Sequence, residues 1–132
     1  MLANSSKYAV KAIVYLVNNS AQDEKKLAIE VAKCAEVPKP FISKLLRQLS
    51  SKKLISSSKG PNGGFYISED QLKGSLLDII VEVEGKDRLS QCALNFENCN
   101  EEKPCPVHHL IALEKASLHN KFKGILLKDL IE

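Results

Sequence analysis

Apolar residues recur at helical spacing through the first fifty positions. Ala9, Ala12, Ile13, Leu16 and Val17 mark one face of a helix over 5–19, with Ser5 and Ser6 placed as N-caps and Asn18-Asn19-Ser20 ending it. Leu27, Ala28, Val31, Ala32 and Ala35 give a second helix over 24–36. Cys34 lies among these small apolar residues and is expected to be a buried hydrophobe. Pro38 and Pro40 stand at the start of a third helix, where a missing N–H costs little. Its apolar stripe is Ile42, Leu45, Leu46 and Leu49, and its opposite face carries Lys39, Ser43, Lys44, Arg47 and Ser51. Helix, short turn, helix with a basic outer face is the pattern of a helix-turn-helix.

After residue 53 the helical period stops. Two short β-prone pieces, Leu54-Ile55-Ser56-Ser57 and Phe65-Tyr66-Ile67-Ser68, flank Lys59-Gly60-Pro61-Asn62-Gly63-Gly64. Glycine, proline and asparagine supply the backbone angles of a tight loop, so a β-hairpin is expected. Following a helix-turn-helix, a hairpin is a wing, and Lys59, Asn62 and the backbone at Gly63 would face a sugar–phosphate backbone or minor groove. The glycine spacing matches neither a P-loop nor a dinucleotide fingerprint, which argues against catalytic phosphate binding.

Periodicity returns at residues 75–84. Leu76, Leu77, Ile79, Ile80, Val81 and Val83 leave this helix apolar nearly all round, so it should be buried on more than one side. A longer helix follows over 107–124 with two apolar stripes. Leu110, Leu113 and Ser117 form one; Ile111, Leu118, Phe122 and Ile125 form the other. One stripe can pack on its own domain and the other on a two-fold mate. Leu126, Leu127, Leu130 and Ile131 close the chain as a short turn under the body.

Composition narrows this picture to one mainly α domain spanning 1–132, with residues 1–68 as a DNA-binding half and 75–132 as a dimerisation half. At 132 residues, 44% hydrophobic and 5% aromatic, the core should be helical and built from Leu, Ile, Val and Ala. No run of about 18 apolar residues would span a membrane. The first ten residues lack the features of a signal peptide, so a cytoplasmic protein is expected. Net charge is a mild +3, but unevenly placed. Lys39, Lys44, Arg47, Lys52, Lys53 and Lys59 fall between 37 and 68 with no acidic residue among them, whereas 82–102 is acidic. The first block suits phosphate. Lys7 and Tyr8, in the first turn of the first helix, are further candidates for the DNA backbone. Gln48 and Arg47 have the chemistry to read base edges. No Ser/His/Asp arrangement, phosphate loop or paired carboxylates point to an enzyme.

The remaining chemistry lies in a loop over 85–106. Cys92, Cys99 and Cys105 fall within 14 residues, interspersed with asparagines and a Pro-Cys-Pro, and His108 and His109 follow. Three thiolates at this spacing can converge on one metal centre. In a reducing compartment, clustered cysteines more often mean metal or redox chemistry than structural disulfides. Zinc is one option, although structural zinc cysteines usually come in pairs two to four residues apart and no such pair exists here. Thiol–disulfide exchange without metal is another. An iron–sulfur cluster is the third.

Taken together, SKYAVKAIVYL at the start, VPKPFISKLLRQLSSKKLISSSKGPNGGFYIS through the third helix and hairpin, and the Cys-x6-Cys-x5-Cys-Pro-Val-His segment resemble the IscR/NsrR family of bacterial winged-helix regulators. The resemblance covers essentially the whole chain. It implies a winged helix-turn-helix with a long C-terminal dimerisation helix, and a homodimer that binds palindromic promoter DNA. It also implies that DNA affinity is switched by an iron–sulfur cluster, with a 2Fe–2S cluster favoured over a 4Fe–4S one. By the same resemblance Cys92, Cys99 and Cys105 would be ligands, and His108, three residues after the last cysteine, would match a histidine ligand. In NsrR-like members a carboxylate near the partner's N-terminus completes the cluster, but Ser5-Ser6-Lys7-Tyr8 offers none. A cluster-free thiol sensor and a zinc-stabilised winged-helix interaction module are the alternatives.

Overall fold

The spacing of Ala9, Ala12, Ile13 and Leu16 is realised as α1 (Asn4–Asn19), and all four side chains are fully buried. The computed structural model describes residues 2–85, 102 and 106–132. The start of α1 departs from expectation. Ala3 is the N-cap and contributes no side-chain bond, while Ser6 lies buried inside the helix with no hydrogen-bond partner on Oγ. Ser5 and Ser6 are therefore not caps. At the other end Ser20 donates from N and Oγ to the Leu16 carbonyl, at 3.0 and 2.6 Å. Its Oγ also accepts from Ile67 N at 3.2 Å.

The second helix, α2 (Ala28–Ala35), is shorter than its apolar spacing suggests. Its expected first turn is taken by strand-like pairing: Lys26 N donates to Phe65 O at 2.9 Å and Phe65 N to Lys26 O at 2.8 Å. Leu27 becomes the N-cap and is left exposed rather than buried. Val31, Ala32 and Ala35 form the buried face, and at about 100° per residue Cys34 falls to one side of it. Cys34 is exposed, which corrects its expected place in the core. Glu36, at φ 56°, turns the chain sharply into Pro38 and α3 (Lys39–Ser51). Ile42, Leu45, Leu46 and Leu49 are buried on α3 as their spacing requires. Each full burial of such a side chain is worth about 1.5–3 kcal/mol.

The wing pairs β1 (Ser56–Ser58) antiparallel with β2 (Gly64–Tyr66), Ser57 opposite Phe65. Its strands are anchored by Ile55 and Ile67, both buried. Two glycines are required here for different reasons. A Cβ on Gly63 would sit 2.4 Å from the Ser58 carbonyl oxygen. Gly64 has φ +148°, and a Cβ there would meet Lys26 O at 2.7 Å, the same carbonyl that pairs with Phe65.

A 3-10 turn at Gln71–Lys73 leads to α4 (Leu76–Glu84), capped by Ser75, whose Oγ accepts from Leu77 N at 3.1 Å. Leu76, Ile79 and Ile80 are buried, while Leu77, Val81 and Val83 are half-buried. The last helix, α5 (His108–Gly124), joins α4 at its far end: Leu76 N donates to Ile125 O at 2.8 Å, and Leu127 N to Gly74 O at 2.9 Å. Leu127 then enters the core, and the tail is tied to α1 through Asn18, which donates to Leu130 O and accepts from Glu132 N. The final turn thus tucks under the body as expected. The fold is mainly helical with one two-stranded hairpin, a winged helix. Among the described residues no helix is long and apolar enough to cross a membrane.

Candidate nucleic-acid interface and cysteine segment

Burial of α3's apolar stripe fixes which side chains face outward. Lys39, Lys44 and Arg47 are exposed, and none pairs with a carboxylate among the described residues. The helix N-terminus, with Pro38 as N-cap and Pro40 in the first turn, adds a partial positive charge to the same element. Two expected members of this face are elsewhere. Ser43 is buried, at 9% exposure, because it lies one turn before Leu46 and within the edge of the apolar stripe. It is not an exposed contact residue. Gln48 is half-buried and its amide is engaged within the protein: Nε2 donates to Glu82 O at 2.9 Å and lies 3.2 Å from Glu82 Oε1. In this arrangement it is not free to read a base edge.

In the wing, Lys59 and Asn62 are exposed at the loop and Gly63 is half-buried beneath them, its N–H donating to Gly60 O at 2.9 Å. On α1, Lys7 is exposed, whereas Tyr8 is half-buried against the core. Phe41, on the first turn of α3, is 57% exposed and escaped the sequence reading. Its signal was an aromatic residue off the apolar stripe.

Cys92, Cys99 and Cys105 lie outside the described residues. Of the proposed ligand set, His108 is described. It is the first residue of α5, half-buried, with its ring edge-on to that of His109 at 5.4 Å between centroids. Among the described residues no three His, Cys, Asp or Glu side chains form a metal-binding group. The structure adds a carboxylate that the sequence reading did not anticipate at the start of α1. Glu84, the last residue of α4, accepts a hydrogen bond from Ala3 N through Oε1, and its Oε2 is buried without a partner.

α5 presents two different faces. Phe122 and Ile125 pack against the core, while Leu110 and Leu113 are 74% and 80% exposed. Two large apolar side chains three residues apart form a neighbouring pair on one helix face.

The comparisons with known proteins agree with this architecture. A family model described as Rrf2, an iron-dependent transcriptional regulator, matches residues 2–132. The chain belongs to the Rrf2 family. A helix-turn-helix-type transcriptional regulator of Aquifex aeolicus is 33% identical over 133 residues, covering 99% of this chain and 91% of that one. Among solved structures, IscR of T. potens superposes with a TM-score of 0.71 at 18% identity, covering 98% of this chain and 85% of that one. The oxidised form of CymR from Staphylococcus aureus superposes with a TM-score of 0.73 at 19% identity, covering 100% and 96%. At these identities the two structures establish the winged-helix fold alone. As a member of the Rrf2 family, this chain is a transcriptional regulator, and regulators of this family bind DNA. The exposed basic face of α3 is therefore the candidate nucleic-acid interface of an Rrf2 protein.

Proposed function

We propose that the protein is a homodimeric regulator of palindromic promoter sites whose affinity for DNA is switched by an iron–sulfur cluster on the segment carrying Cys92, Cys99 and Cys105. The observation that carries the DNA-binding half is the exposed set of Lys39, Lys44 and Arg47, none paired with a carboxylate among the described residues, on a buried helix-turn-helix scaffold. Arg47 would read a base edge, with its planar fork matched to guanine. Lys39 and Lys44 on α3, Lys59, Asn62 and the Gly63 backbone in the wing, and Lys7 and Tyr8 on α1 would position the duplex through its phosphates. Replacing Arg47 by Ala is expected to weaken binding to the specific site by about 1–3 kcal/mol while leaving thermal stability unchanged. Titrations against matched and scrambled duplexes check this; equal losses on both would reduce Arg47 to a non-specific role.

The donor set fits the cluster. Three thiols precede His108, whose imidazole stands at the N-terminal end of α5, where the helix dipole favours a nearby negative charge. Cys92, Cys99, Cys105 and His108 would hold a 2Fe–2S cluster in preference to a 4Fe–4S one. When bound, the cluster supplies a redox-sensitive tie within the segment that joins α4 to α5. The protein's own residues do the rest. α4 carries the movement into the core, and Leu110 and Leu113 set the two protomers' spacing against half-sites about one helical turn apart. Protein purified without oxygen should be brown, with iron and sulfide in equal amounts. Colourless, zinc-rich protein would replace this reading with a structural one. The second reading is thiol–disulfide sensing without a cluster, favoured by the likeness to a CymR that exists in an oxidised form.

A further inference from the structure

Gly85, the C-cap of α4, stands seven residues before Cys92, and the last turn of α4 is bonded to α3 and to the N-cap of α1. The last four carbonyls of a helix have no N–H of their own to receive. Gly85 N closes onto Val81 O, and the carbonyl of Glu82 is met from another element: Gln48, 34 residues earlier on α3, donates to it at 2.9 Å. The same amide lies 3.2 Å from the Glu82 carboxylate, so a charged acceptor strengthens the contact. Glu84, two residues on, receives Ala3 N at the start of α1. The final turn of α4 is thus bonded to the first residues of one helix and to the outer face of another, both in the DNA-binding half.

Building on the DNA-binding and cysteine-input reading above, we infer that Gln48 is a positioning residue: its bond to Glu82 sets the pose of the α3 helix and passes the state of the cysteine segment to it. Leu76, Ile79 and Ile80 fix the first two turns of α4 in the core. A pull transmitted along the chain through Gly85 therefore acts first on residues 82–84. Apolar packing tolerates small sliding, but a hydrogen bond is lost once its atoms part beyond about 3.5 Å. The Gln48–Glu82 contact is the directional link between that turn and the helix carrying Lys44 and Arg47.

The test measures affinity for a palindromic operator in two states, the anaerobically reconstituted protein and the same protein after chelation and thiol oxidation. The wild-type ratio is expected to lie in the range of about 5–150-fold typical of coupled sites. Gln48→Ala should bring the ratio towards one; Glu82→Ala, which keeps the backbone carbonyl that accepts at 2.9 Å, should lower it less, and the double variant should do no more than Gln48→Ala alone. Gln48→Glu should likewise bring it towards one, because a carboxylate at 48 cannot donate to the Glu82 carbonyl. A direct contact between Gln48 and DNA would instead lower affinity equally in both states, keep the ratio, and be indifferent to Glu82; that result overturns the inference. A wild-type ratio of one would remove the switching reading itself, and this inference with it.

Discussion

Replacing Leu110 and Leu113 together by Glu is expected to convert the protein to folded monomers of 14.6 kDa that keep their helical content, with a melting temperature lowered only by the loss of dimer linkage. Both side chains are largely exposed in the single chain, at 74% and 80%, so charging them removes nothing from the protomer's own core. In a two-fold dimer each residue occurs twice, and each buried Leu contributes about 1.5–3 kcal/mol. Four lost contacts, together with four carboxylates forced into the interface, outweigh what a modest helix–helix contact can supply. DNA binding should fall with dimerisation. Two half-sites joined in one dimer bind about 10²–10⁴-fold more tightly than one alone, and that advantage disappears in a monomer. Sedimentation and operator titration measure the two effects. A variant that stays dimeric would move the interface elsewhere on α5 or off it.

The second large effect is expected from Cys99→Ala. Removing one of three thiolates should abolish visible colour and bound iron, while the winged-helix half, whose core residues are all elsewhere, stays folded. The operator affinity of the variant should be the same before and after exposure to oxygen, whereas that of the wild type is expected to change. Loss of folding on substitution would mark a structural metal instead, since metal binding and folding are then one equilibrium. If the wild type responds to a thiol oxidant without ever holding iron, the cluster-free sensor is the correct reading.

The parts legible from sequence were those governed by local periodicity. α3 appeared with its four buried residues because Ile42, Leu45, Leu46 and Leu49 repeat at helical spacing. The wing appeared because no other arrangement readily uses Gly60, Pro61, Asn62, Gly63 and Gly64 between two β-prone pieces. The two faces of α5 were also separable, although which one would be covered was not. Misreadings fell where a residue's surroundings come from a distant part of the chain. Cys34 looked apolar by its neighbours, but α2 is rotated so that Val31, Ala32 and Ala35 face inward. Leu27 has the spacing of the second helix, but that helix begins one residue later because Lys26 pairs with Phe65 across the wing. Ser43 is expected on the face opposite Ile42, Leu45, Leu46 and Leu49, yet it sits one turn from Leu46 and is buried with it.

The fold, the basic face of α3 and the three closely spaced thiols followed by His108 can all be read along the chain, because periodicity, turn chemistry and ligand type are local properties. The hold of Glu82 on Gln48 and the reach of Glu84 to the start of α1 emerge only once the chain is folded. Those bonds join residues 34 and 81 positions apart, and no local pattern encodes which unpaired carbonyl or N–H a distant side chain will meet.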